Sequence, residues 1–93
     1  MNWLVYIILC SDGSLYTGIT NDLERRLLQH ASRRGAKYFR ARAPGPVVYL
    51  EDGHDRSSAS RREAAIKKLT LPAKRRLIAA YTQALPAAAA SGG

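Results

Sequence analysis

One cysteine, Cys10, stands alone among 93 residues. It excludes an internal disulfide, and with no second thiol it leaves no cysteine-built zinc site, so a reducing, cytoplasmic setting is expected. Acidic residues are scarce too, 7 Asp and Glu against 15 Lys and Arg, which gives a net charge of +8 and a pI near 10.3. A surplus of that size attracts polyanions, of which phosphate chains are the commonest in a cell. The basic residues are spread along the chain rather than set on one polar helix face, which disfavours a membrane surface as partner. Long hydrophobic runs are missing. The apolar start, Trp3 to Cys10, is too short for a membrane span, has no basic flank before it and leads straight into a turn, so it reads as a strand rather than a signal peptide. No internal repeat is present.

The length allows one domain with a thin core. Hydrophobic residues at 46% and charged residues at 24% place it among ordinary globular chains. Trp3-Leu4-Val5-Tyr6-Ile7-Ile8-Leu9-Cys10 is rich in β-branched and aromatic residues at both parities, the pattern of a central strand covered on both faces. Asp12-Gly13 signals a hairpin. A two-residue loop pairs Leu9 with Tyr16 and puts Tyr16 and Tyr6 on opposite faces. A three-residue loop, with Gly13 left-handed, pairs Ile8 with Tyr16 and Tyr6 with Gly18, and both phenols then share a face. Only the second register builds a site.

Asn21 with Glu24 three residues on is the expected capping box of a helix from Asp22 to about Arg33. Leu23 and Leu27 form its buried stripe, and Arg26 and His30, four apart, lie at the margin facing the sheet. Arg33 to Pro46 is basic and irregular. There Lys37, Arg40 and Arg42 interleave with Tyr38 and Phe39, a mix that suits phosphate neutralisation and base stacking or, equally, a loop pinned to the core by its aromatics. Pro46 to Glu51 reads as a third strand. Asp55 or Ser57 caps a second helix to about Thr70, with Ala59, Ile66 and Leu69 inward and Glu63 at the stripe edge, where a carboxylate needs a partner. Pro72 starts a third helix with stripe Leu77, Ile78 and Tyr81. The expected fold is a single α/β (α+β) domain, residues 1–83, with a small three-stranded antiparallel sheet flanked by helices; residues 84–93 are an Ala/Gly-rich tail expected to be disordered.

Tyr6, Tyr16-Thr17-Gly18, Arg26, His30 and Glu63 occur in an order and spacing that resemble the GIY-YIG nuclease family, over roughly residues 3–82 and closest to its small stand-alone bacterial members, which also carry a Gly-Ala-Lys segment, here Gly35-Ala36-Lys37. Leu4 and Val5 replace the glycine and isoleucine of the first motif, and Thr17 the isoleucine of the second; neither change removes a reactive group. The resemblance implies an endonuclease that hydrolyses DNA phosphodiester bonds, in repair or recombination, with Mg²⁺ (or Mn²⁺) as cofactor. It assigns Tyr6 as general base, Tyr16 as a hydrogen-bonding partner of water or phosphate, Arg26 as the phosphate clamp, His30 as the base's helper and Glu63 as the metal ligand. Gly18, Lys37, Arg40, Arg42 and Lys67 are the expected nucleic-acid contacts. No second acidic residue has a placement comparable to Glu63, which disfavours a two-metal cluster. Taken singly, each residue also has a plain explanation: strand tyrosines pack, helix arginines are solvated, and Glu63 pairs with Arg26 or Lys67. Family nucleases usually add a DNA-binding domain or a partner subunit, for which this chain has no room. Two rivals therefore stand beside the enzyme: a nucleic-acid-binding module without turnover, and an adaptor docking a protein partner that supplies specificity.

Overall fold

Because the first strand is apolar at both parities, it can be buried from two sides, and the rest of the fold is arranged to do so. The computed structural model describes residues 2–32 and 43–85. Its elements are β1 (Trp3–Cys10), β2 (Leu15–Thr20), α1 (Leu23–Ala31), β3 (Pro44–His54), α2 (Arg56–Lys67) and α3 (Leu71–Ala84). The strands form one antiparallel sheet in the order β2-β1-β3. On one face Val5 and Ile7 are buried with Tyr49 of β3 and Ala59 and Ile66 of α2, against which Leu77, Ile78 and Tyr81 of α3 pack. On the other, Tyr6, Ile8 and Cys10 are buried beneath Tyr16 and beneath Leu23 and Leu27 of α1. Each fully buried aliphatic side chain contributes roughly 1.5–3 kcal/mol. The expected architecture is the observed one.

The hairpin takes the three-residue loop. Gly13 sits at φ +84° and donates to Cys10 O at 2.9 Å, while Cys10 N–H donates to Ser14 O at 2.9 Å. The Asp12 carboxylate accepts from the Ser14 amide at 3.0 Å and steadies the turn. Ile8 therefore pairs with Tyr16, and Tyr6 with Gly18.

Element ends differ from the sequence expectation, each for a local reason. Thr20 Oγ1 accepts from Asp22 N–H at 3.0 Å and donates to Asp22 O at 3.1 Å. That small turn delays helix entry by one residue, so Asp22 rather than Asn21 is the N-cap, accepting from Arg25 N–H at 3.2 Å, and α1 closes at Ala31. β3 is longer than Pro46–Glu51 because Ala43 already exchanges hydrogen bonds with Ser11. Proline is tolerated at Pro44 because β3 is an edge strand. Asp55 caps α2. That helix stops at Lys67, since Thr70 is taken as the N-cap of α3, and Leu69 is left exposed instead of joining the stripe. The basic stretch with Lys37, Arg40 and Arg42, and the tail from Pro86, lie outside the described residues. Among the described residues no helix is long and apolar enough to cross a membrane.

Gly13→Ala places a Cβ in a left-handed conformation and is expected to cost about 1–2 kcal/mol, lowering Tm by at least roughly 4 °C. A thermal melt at unchanged Tm would show that the loop does not depend on this conformation.

Candidate active site

The register of the hairpin decides what the second sheet face offers. Tyr6 points out of β1 opposite Gly18, and Tyr16 stands two residues before Gly18 on β2. A Cβ built on Gly18 would lie 2.6 Å from Tyr6 Oη, closer than atoms can pack, and 3.0 Å from Tyr16 Cε2, a tight contact. Glycine there lets the phenol of Tyr6 lie down across the strand backbone.

Helix α1 then covers the phenols. Arg26 and His30 are one turn apart, so both project from the same side as the Leu23–Leu27 stripe. His30 is fully buried and its Nε2 lies 2.8 Å from Tyr6 Oη. The rings of Tyr6 and Tyr16 are 6.3 Å apart, and Tyr16 meets His30 edge-on at 5.4 Å. The Arg26 guanidinium acts electrostatically on both phenols, and its Nη1 donates to Gln29 Oε1 at 3.0 Å. Arg26 Nε is buried with no hydrogen-bond partner among the described residues.

Burial sets the protonation states. It pushes the Tyr6 phenol up to about 12, only partly opposed by Arg26. Burial, followed by the nearby Arg26 charge, brings the His30 imidazole down to about 4. At neutral pH the pair is therefore a phenol and an uncharged imidazole. For Arg26, burial opposes the charge but the phenols outweigh it, holding the guanidinium above its ordinary value.

Glu63 arrives from elsewhere. It sits on α2, which packs against β2 and β1, and its charge reaches the Tyr6 phenol, raising it further. Its side chain is half-buried and lies 3.5 Å from Lys67 Nζ, a loose ion pair one turn along the helix. The structure thus joins Tyr6, Tyr16, Arg26 and His30 by direct ring, hydrogen-bond and charge contacts, with Glu63 at charge-interaction range. Among the described residues no cluster of three or more His, Cys, Asp or Glu side chains could hold a metal. A lone carboxylate fits Mg²⁺, which keeps most of its waters and takes phosphate oxygens. It does not fit a caged metal such as zinc.

The family model of the GIY-YIG catalytic domain matches residues 2–76. The chain belongs to the GIY-YIG family. Its catalytic domains are typically endonucleases, which implies a nucleic-acid substrate. A UPF0213 protein from Desulfotalea psychrophila is 52% identical over 79 residues, covering 84% of this chain and 72% of that one. A UPF0213 protein from Xanthomonas axonopodis is 48% identical over 84 residues, covering 90% and 78%. The solution NMR structure of a UPF0213 protein from Bacillus halodurans, 43% identical, covers 85% of this chain and 84% of its own with a TM-score of 0.56.

Two features escaped the sequence reading. Gln29, which holds Arg26, was detectable as a polar i+3 neighbour. The second is a network on the opposite sheet face. Glu51 accepts from Tyr49 Oη at 2.5 Å and from Arg62 Nε at 3.1 and 3.2 Å, and His54 joins it at 2.7 Å. Burial opposes the Glu51 charge, but these donors outweigh it and keep the carboxyl below its ordinary range. The network ties β3 to α2 beside Glu63, and no local pattern predicts it.

Two outcomes are expected. His30 has a lowered pKa, so between about pH 6.5 and about pH 4 the unfolded chain binds its proton and the folded chain does not. Stability from this residue is complete above that window and falls by roughly 3 kcal/mol across it; denaturant titrations should show His30→Gln flattening the decline, and parallel curves would contradict a buried neutral imidazole. Gly18→Ala should cost about 1–3 kcal/mol and move the His30 imidazole NMR signals, because the methyl displaces the Tyr6 hydroxyl. Unchanged signals would mean that the phenol is not seated there.

Proposed function

We propose that this protein is a divalent-metal-dependent endonuclease that hydrolyses phosphodiester bonds in DNA. The observation that carries this reading is the 2.8 Å contact between the Tyr6 phenol and the uncharged His30 imidazole, sealed from solvent beside Arg26. A phenol held near 12 is a poor base by itself. Next to an imidazole it becomes a relay once substrate binding admits the attacking water to the phenol, which is buried in the free protein: Tyr6 takes a proton from that water as its own passes to His30 Nε2. The new P–O bond to the water oxygen forms as the P–O bond to the leaving oxygen breaks; the leaving oxygen takes a proton from solvent water, and the imidazolium afterwards passes its proton back to Tyr6, whose surplus proton is released to solvent as the products leave. Arg26 grips the phosphate with its planar fork, and its charge offsets the negative charge gathering on phosphorus. Tyr16, at the rim of the same face, orients the water or a phosphate oxygen. Glu63 would hold the Mg²⁺ (or Mn²⁺), which when bound supplies Lewis-acid stabilisation of the phosphate and leaving oxygen.

Charge supports the same substrate. Residues 56–85 carry eight Lys and Arg and a single acid, Glu63; basic residues occur elsewhere too, but there the acids largely offset them, so most of the net positive charge falls in this segment. Lys67, one turn from Glu63, is in this group. A phosphate backbone drawn to that surface is brought to the carboxylate.

The test is a Mg²⁺-dependent cleavage assay on branched, flap and plasmid DNA, with stability and DNA affinity measured on the same preparations. Tyr6→Phe should slow cleavage by roughly 10²–10⁴-fold while changing stability by no more than about 1.5 kcal/mol. Arg26→Lys should cut the rate with affinity almost intact, since charge remains and the fork is lost. Glu63→Ala should abolish the metal-dependent cleavage. Full cleavage by folded Tyr6→Phe, or DNA binding without cleavage across the panel, contradicts the assignment.

A further inference from the structure

Beside the catalytic cluster, at the open end of the β1–β2 pair, lies a pocket of about 250 Å³ lined by Trp3, Asn21, Arg25, Arg26 and Gln29. We propose that it is a nucleotide subsite, taking one unstacked base of an unpaired strand next to the phosphate held by Arg26. The inference rests on the nuclease reading above and narrows its substrate to DNA with an unpaired nucleotide at the cleavage point.

The volume lies just below the roughly 300–1,000 Å³ of pockets for drug-sized ligands, which suits a single base. One wall is the Trp3 indole, half-buried and steadied by the Arg56 guanidinium 5.8 Å over its ring. An indole beside cations is how proteins hold single-stranded nucleic acid: the ring stacks on a base and the cations take the backbone. The remaining walls are selective for the base edge. Gln29 Oε1 is already used by Arg26 Nη1, so this side chain presents its amide donors, and base edges are rich in acceptors. Asn21 is exposed at the rim and adds both donor and acceptor. Asp22, the acid that lines the pocket, is engaged as the helix cap.

The link to chemistry is short. Arg26 lines the pocket and also acts on Tyr6 and Tyr16, so a base seated here leaves its adjoining phosphate at the guanidinium. A paired base has its edges and faces occupied within the duplex and enters only after extrusion. Single-stranded and flap DNA present it directly.

Trp3 is the chain's one tryptophan, so its emission reports the pocket alone. The full chain is titrated with a dye-labelled short single strand in the absence of metal, reading anisotropy for binding and Trp3 emission for stacking, then again with strands carrying one abasic position. Emission should quench along the same curve as anisotropy. Removing the seated base should weaken binding by roughly 5- to 150-fold, the value of one stacked base. Trp3→Leu should weaken binding of the intact strand by a similar factor and leave the abasic strand unaffected. Asn21→Ala, outside the core, should give a smaller base-dependent loss and serves if Trp3→Leu does not fold. Binding by anisotropy with unchanged Trp3 emission and no abasic effect overturns the subsite while leaving the nuclease reading intact, and so does tighter binding of fully paired duplex. No binding and no cleavage of any nucleic acid overturns both.

Discussion

The hydrogen bond between Tyr6 and His30, 2.8 Å long and closed to water, is the contact on which the rest of the site depends. It joins the central strand to the helix packed over it, and three separate features of the chain must agree for it to form. The hairpin must turn through Ser11-Asp12-Gly13 so that Tyr6 falls opposite Gly18. Position 18 must lack a Cβ so that the phenol can lie flat. Helix α1 must be capped at Asp22 so that the fourth residue after Arg26 faces inward. A change in any one moves the phenol or the imidazole, and the protonation states set by their burial move with it.

The two faces of β1 divide the work. Val5 and Ile7 hold α2 and α3 through a mainly apolar core. Tyr6 and Ile8 face α1, where polar groups are buried at real cost and must be satisfied. Glu63 is the piece that crosses this division, since it belongs to a helix of the first face and acts on a phenol of the second. The Glu51–Arg62 contact on β3 and α2 makes that possible by fixing the helix beside it. Stability on one face thus serves geometry on the other.

Much of this could be read from the residues. The strand apolar at both parities, the Asp12-Gly13 turn and the Leu23–Leu27 stripe are local patterns, and local patterns determine local structure. The shared face of Tyr6 and Tyr16 followed once the loop length was chosen, and the structure makes that choice. Helix ends were less legible, because Thr20 and Thr70 decide them through side-chain bonds to backbone that compete with neighbouring caps. The pairing of Tyr49, Glu51, His54 and Arg62 was not legible at all, since it depends on how α2 packs on β3. The pocket around Trp3 likewise exists only once β1, β2 and α1 have come together.

The central claim is that Tyr6 donates its proton toward His30, so that the phenol can accept one from a water admitted with the substrate. The most direct measurement is ¹⁵N NMR of the His30 imidazole at neutral pH in the folded protein, compared with Tyr6→Phe. The account predicts an uncharged ring with the proton on Nδ1 and a hydrogen-bonded, unprotonated Nε2 whose shift changes when the Tyr6 hydroxyl is removed. A ring protonated at Nε2, donating to the phenol, would leave His30 unable to receive the proton and would contradict the relay.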